Sequence, residues 1–195
     1  MDTFCHSIVS LTCILKVSER VTMKVVKVRD NKSLSENARD LIVDVILSYE
    51  NPVLGLATGS TPEKTYHFLV EQYLHGAISF SDVTTFNLDE YVGLSPKNPF
   101  SYWHYMNKHL FSKVNIKKKN VHIPDGLASD LEAECLRFEE KIKQVGPIHL
   151  QILGVGLNGH IGFNEPGTSF QSRTHVAKLT QSTREVNSRF FNSID

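Results

Sequence analysis

Apolar positions along this chain follow two alternating rhythms. Leu34, Ala38, Leu41, Ile42, Val45 and Ile46 recur at three- and four-residue spacing, which puts them on one face of a helix. Residues 52–57 (P-V-L-G-L-A) form instead a short continuous apolar run, the pattern of a strand buried on both faces. Thr61-Pro62 opens a second helix, with proline in the first turn, where its missing N–H costs nothing. Tyr66, Leu69, Val70, Tyr73 and Leu74 form the inward face of that helix, and Gly76 ends it. Residues 83–88 read as the next strand. Ser129 and Glu132 make a capping box ahead of a helix carrying Leu131, Cys135, Phe138, Ile142 and Val145, which Gly146 closes. A further strand is expected over 148–153. This alternation predicts an α/β fold: a Rossmann-like, open, mostly parallel sheet with helices on both faces.

Residues 1–22 do not share the pattern. The apolar stretch 8–17 is too short to span a bilayer and is interrupted by Ser10, Thr12 and Lys16. Asp2 stands where a signal peptide carries basic residues, and no small-x-small cleavage site follows. From Met23 the text M-K-V-V-K-V alternates like a first strand. The expected organisation is an N-terminal extension over 1–22 and one α/β domain over 23–195.

Composition narrows the function classes. Lys plus Arg equals Asp plus Glu at 21 each, so no global charge draws the chain to nucleic acid or a membrane. The basic run at 117–119 lacks interleaved aromatics and reads as a solvated loop. Three irregularly spaced cysteines (Cys5, Cys13, Cys135) suggest neither a disulfide framework nor a zinc site and fit a reducing, cytoplasmic compartment.

In open α/β sheets, ligands bind beyond the carboxyl ends of the strands. Three polar clusters fall there. Thr58-Gly59-Ser60-Thr61 runs from a strand into a helix start, where backbone N–H groups and the helix dipole favour an anion. It lacks the lysine of a nucleotide P-loop and the spacing of a dinucleotide fingerprint. Asp89 ends the second strand, where a carboxylate projects into the crevice, with Glu90 and Tyr91 as supporting residues; Trp103, His104 and Tyr105 read as packing. The third cluster, G-V-G-L-N-G-H-I-G-F-N-E-P-G-T (154–168), sets Asn158, His160 and Glu165 into a glycine-rich turn. A histidine beside a carboxylate suits proton transfer near neutral pH.

These blocks, G-L-A-T-G-S-T-P, T-F-N-L-D-E-Y-V-G-L and the 154–168 segment, together with S-R-F-F (188–191), resemble the glucosamine-6-phosphate deaminase family from about Met23 onward. The N-E-P element distinguishes the chain from 6-phosphogluconolactonases, which share a related G-H loop. The resemblance implies conversion of D-glucosamine 6-phosphate and water to D-fructose 6-phosphate and ammonia, with no metal or organic cofactor. It assigns Asp89 as the base at carbon 2 and His160 as the ring opener, assisted by Asn158 and Glu165. The phosphate falls to Thr58, Gly59, Ser60 and Thr61, with Arg189 as a charged clamp. The implied partner is a small sugar phosphate, and a homo-oligomer is compatible with the reading. Some members carry Asp at the position of Asn158, and members activated by N-acetylglucosamine 6-phosphate carry basic residues where this chain has His175 and Ala177; no such activation is expected. Members also continue past the position of Asp195, so the fold is expected to lack its C-terminal part here. Another sugar-phosphate isomerase or lactonase, or a non-enzymatic sugar-phosphate sensor of the same fold, are the alternatives.

Overall fold

The computed structural model describes residues 6–9 and 24–188. Its centre is a parallel sheet of order β5-β3-β2-β6, built from β2 (Val53–Leu56), β3 (Thr84–Asn87), β5 (Val121–His122) and β6 (Leu150–Gln151). β2 is buried along its whole length, as a central strand with both faces covered must be. Its alternate residues serve two cores. Leu54 and Leu56 pack with Ile42 and Ile46 of helix α1 (Asn31–Ser48), Tyr66 and Leu69 of α2 (Glu63–Leu74) and Met106 of α3 (Tyr102–His109). Val53 packs with Phe86, Phe138 and Ile142, the last two from α4 (Leu131–Val145). Helices therefore cover both faces, as the strand–helix alternation predicts.

A second sheet was not legible in the sequence. It is three-stranded and antiparallel, of order β4-β1-β7, from β1 (His6–Val9), β4 (Asp89–Tyr91) and β7 (His175–Lys178). Part of the segment read as an N-terminal extension is thus the middle strand of a sheet, with Val9 opposite Asp89 on one side and His175 on the other. The first strand expected from residue 23 does not form: 24–28 pair with nothing described, and Val25 and Val26 are exposed. Alternation alone makes no strand without a neighbour to bond.

Local details depart from expectation in physically readable ways. Leu34, Leu41 and Leu74, placed on inward helical faces, lie exposed. The α4 cap is Asp130, whose side chain accepts from the Ala133 amide at 2.9 Å, one residue beyond Ser129. The final strand shrinks to Leu150–Gln151, although Ile152 still donates its amide to Gly55.

The pairing sets the strand ends level. Leu56 lies opposite Asn87 and Gly55 opposite Gln151, so the chains leaving β2, β3 and β6 emerge at one edge. Asn87 ties two of them together, its amide donating to the Leu56 carbonyl at 3.1 Å.

Candidate active site

All three polar clusters meet at that edge, around a cleft of about 290 Å³. Thr58, Gly59 and Ser60 form one wall, Asp89 and Tyr91 a second, and the loop from Gly154 to Phe163, with His160, a third. Tyr102 and Tyr105 of α3 complete it.

The first wall is the turn between β2 and α2. Gly59 has φ +103°, a conformation that side-chain-bearing residues rarely adopt. Two tyrosines brace the turn: Tyr66 Oη donates to the Ala57 carbonyl, and Tyr105 Oη to the Gly59 carbonyl at 2.6 Å. Tyr105, read as packing from sequence, thus shapes the site. Thr61 is exposed and does not line the cleft, and Glu63 places a carboxylate at its margin. Arg189 lies outside the described residues.

At Leu88 the chain leaves the parallel sheet, and at Asp89 it enters the antiparallel one. Asp89 therefore begins β4 at the junction of the two sheets rather than ending β3. It is half-buried against the cleft, and its carboxyl is pushed up to about 7, first by burial and then by the charge of neighbouring Glu90. A carboxylate that titrates near neutrality is matched to proton abstraction.

His160 sits at the end of a hydrogen-bonded chain. Asn158 Nδ2 donates to Glu165 Oε2 at 2.8 Å, which leaves Asn158 Oδ1 to face His160 Nδ1 at 2.6 Å. An amide oxygen can only accept, so Nδ1 carries the proton and Nε2 is the atom free to take another. Burial pushes the Glu165 carboxyl up, but hydrogen bonds from Thr183, Thr180 and Asn158 outweigh it and leave the group below its usual range. An ionised Glu165 thus orients the amide, and the amide orients the imidazole. Glu165 and Asn158 stand behind His160, not on the cleft wall. Gly156 is what lets the ring lie over the loop: a Cβ there would overlap the His160 imidazole.

Sequence reasoning missed two threonines. Thr180 donates to Glu165 from both its amide (3.1 Å) and its hydroxyl (3.2 Å), and Thr183 lies 3.5 Å from Asn158 Nδ2 and 3.4 Å from His160 Nδ1. They flank the start of α5 (Gln181–Ser188), where Thr183 donates its amide to Thr180 Oγ1 at 3.3 Å. The T-x-x-T spacing, read as a helix cap, was the available signal. An aromatic cluster of Tyr91, Tyr102 and Phe163, with ring centroids 5.0–5.8 Å apart, backs the cleft. Among the described residues, no group of three or more His, Cys, Asp or Glu side chains is placed to share a metal ion. Nor is any described helix long and apolar enough to cross a membrane.

Comparison with known proteins gives concordant results. Residues 29–189 match the family described as glucosamine-6-phosphate isomerases/6-phosphogluconolactonase. A glucosamine-6-phosphate deaminase of Oceanobacillus iheyensis is 53% identical over 173 residues, covering 89% of this chain and 69% of the relative. One from Thermoanaerobacter sp. (strain X514) is 52% identical over the same length and 68% covered. Among solved structures, a monomeric glucosamine-6-phosphate deaminase superposes with a TM-score of 0.87 at 49% identity, over 89% of this chain and 72% of that one. A 6-phosphogluconolactonase from Thermotoga maritima shares the fold, at TM-score 0.61 and 23% identity over 80% of this chain and 76% of that one.

Proposed function

The chain belongs to the glucosamine-6-phosphate isomerase/6-phosphogluconolactonase family, and on that premise we propose that it converts D-glucosamine 6-phosphate and water to D-fructose 6-phosphate and ammonia. The observation that carries the reading is the pairing, across one cleft, of a carboxylate poised near neutrality with a histidine whose free nitrogen is fixed by the Glu165–Asn158 chain.

The geometry supports the following roles. His160 Nε2 takes the proton of the anomeric hydroxyl and returns it to the ring oxygen as the bond from that oxygen to carbon 1 breaks, giving the open-chain amino aldehyde. Asp89 then removes the proton at carbon 2, acidified by the adjacent carbonyl, and the carbonyl oxygen takes up a proton given by the ammonium group, which forms an enolamine. Returning the first proton to carbon 1 yields the protonated ketimine of fructose 6-phosphate, which water hydrolyses to the ketone and ammonia. Positioned acid–base groups of this kind each contribute roughly 10²–10⁴-fold. The phosphate is assigned to the turn of Thr58, Gly59 and Ser60 ahead of α2, with Thr61 and Arg189 as the outer contacts suggested by the sequence.

The solved deaminase that is 49% identical to this chain is described as monomeric, which supports a site built within one chain. Its sugar-phosphate substrate implies a cytoplasmic enzyme. Ammonia release from glucosamine 6-phosphate by the purified chain, with Asp89→Asn as control, tests the reading. Turnover of 6-phosphogluconolactone in its place would instead identify a lactonase.

A further inference from the structure

We propose that Glu90 is a positioning residue for this reaction: its carboxylate locks β4 onto the start of α3 and so fixes Asp89 in the cleft. The inference rests on the deaminase reading for its meaning, but its geometry stands on its own.

Successive residues of a strand point to opposite sides. Asp89 and Tyr91 face the cleft, while Glu90 faces a smaller cavity of about 180 Å³ on the other side, bordered by Trp103 and Asp125. There it is only 3% exposed and accepts three backbone N–H groups. Oε1 receives the amides of Tyr91 and Tyr102, each at 2.9 Å, and Oε2 receives that of Trp103 at 3.0 Å. Tyr102 and Trp103 are the first two residues of α3, whose amides have no partner within the helix. Ser101 takes the next, from His104, at 3.1 Å. Glu90 thus joins a three-residue strand to a helix that otherwise meets it through ring packing and one long hydroxyl contact, Tyr102 Oη donating to Tyr91 Oη at 3.4 Å. The Glu90 contact also holds Tyr102, whose ring stands in the aromatic cluster with Tyr91. A buried carboxylate with this many donors is an expensive way to fasten a loop. It is economical where the fastened strand carries a base that must stay within a fraction of an ångström of its target.

Its charge also acts on Asp89. Tyr91 on β4, Tyr102 and Tyr105 on α3, Glu63 on α2, His160 on the loop and Asp125 behind Glu90 all border the pair. Burial raises the Asp89 carboxyl first, and the charge of Glu90 raises it further.

The test separates the clamp from the charge. Glu90→Gln keeps the shape and one acceptor but removes the charge; Glu90→Asp keeps the charge but shortens the reach. Rates of ammonia release are measured against pH, with Asp89 titrated by ¹³C-carboxyl NMR in each protein. Glu90→Gln is expected to lower kcat about tenfold or more with KM little changed. It should also move the acid limb of kcat, and the Asp89 titration, down by about one pH unit. Glu90→Asp should lose kcat while its acid limb stays in place. A wild-type kcat in Glu90→Asp, or an unmoved Asp89 titration in Glu90→Gln, overturns the proposal. Should Glu90→Gln fail to fold, Glu90→Asp decides alone. If the wild-type chain releases no ammonia, the deaminase reading fails, and the NMR titration still decides on Glu90.

Discussion

Asp89 and His160 carry separable parts of the proposed chemistry, and each can be removed without disturbing the other. Asp89→Asn is nearly isosteric and keeps the cleft's shape while losing the base. We expect ammonia release and hydrogen exchange at carbon 2 to fall by about 10²–10⁴-fold, with binding of a substrate analogue retained. Exchange at the wild-type rate would remove Asp89 from the role. For His160 the informative change is one residue away. Gly156→Ala adds a methyl where the imidazole lies, so it should displace the ring as effectively as His160→Gln removes it. Both defects should shrink on an acyclic analogue, because ring opening is then bypassed; equal loss on cyclic and acyclic compounds would argue against His160 as ring opener. These residues were legible because Asp, Asn, His and Glu are conspicuous at strand ends. Thr180, Thr183 and Tyr105 were not: a threonine or tyrosine acquires a role here only through a partner far along the chain.

Among the elements, those marked by helical periodicity or a continuous apolar run could be read from sequence, and the short strands of the second sheet could not. β2 announces itself as an apolar run because α1, α2 and α4 leave neither face to water. β4 (D-E-Y) and β1 (H-S-I-V) are too short to show a pattern of their own, and only their pairing makes them strands. That dependence has a functional edge. β1 lies between β4 and β7, so without it these two strands would stand roughly 10 Å apart with their facing amides and carbonyls unpaired. A chain starting at Met23 should therefore show faster amide exchange at residues 89–91 and 175–178, and a lower kcat, while α1 and α2 keep their protection. Unchanged exchange at those seven amides would mean that β1 does not support the site. The α4 cap is a local control: Asp130→Ala should cost about 1 kcal/mol of stability and leave kcat alone.

For the molecule as a whole, the site's chemistry should oppose its stability as pH rises. With equal numbers of acidic and basic residues, global charge supplies little of the pH dependence near neutrality. The few strongly shifted groups supply it instead. Asp89 and Glu90 each titrate at about 7 in the fold, well above their values in an unfolded chain. A raised carboxyl contributes stability in full below its unfolded value and loses it as pH climbs through the folded one. His122, pushed down to about 4 mainly by burial, acts in the opposite sense, its contribution being lost as pH falls from the ordinary histidine range toward 4. Two raised carboxyls against one lowered histidine leave a net decline from about pH 5 that tails off above about pH 7, once both carboxyls are ionised in the fold. Activity should run the other way, because the base works only when ionised. Urea unfolding at pH 5.5 and pH 8 should thus show a less stable protein at the higher pH, where it is more active. In Asp89→Asn the difference should narrow, and at pH 8 the variant should exceed wild type by about 1–2 kcal/mol, the cost of holding that half-buried carboxylate charged. A wild-type curve that is flat or rising from pH 5.5 to 8 would show that Asp89 and Glu90 ionise in the fold as they do in water. The upward shift proposed to suit Asp89 to proton abstraction at neutral pH would then be absent.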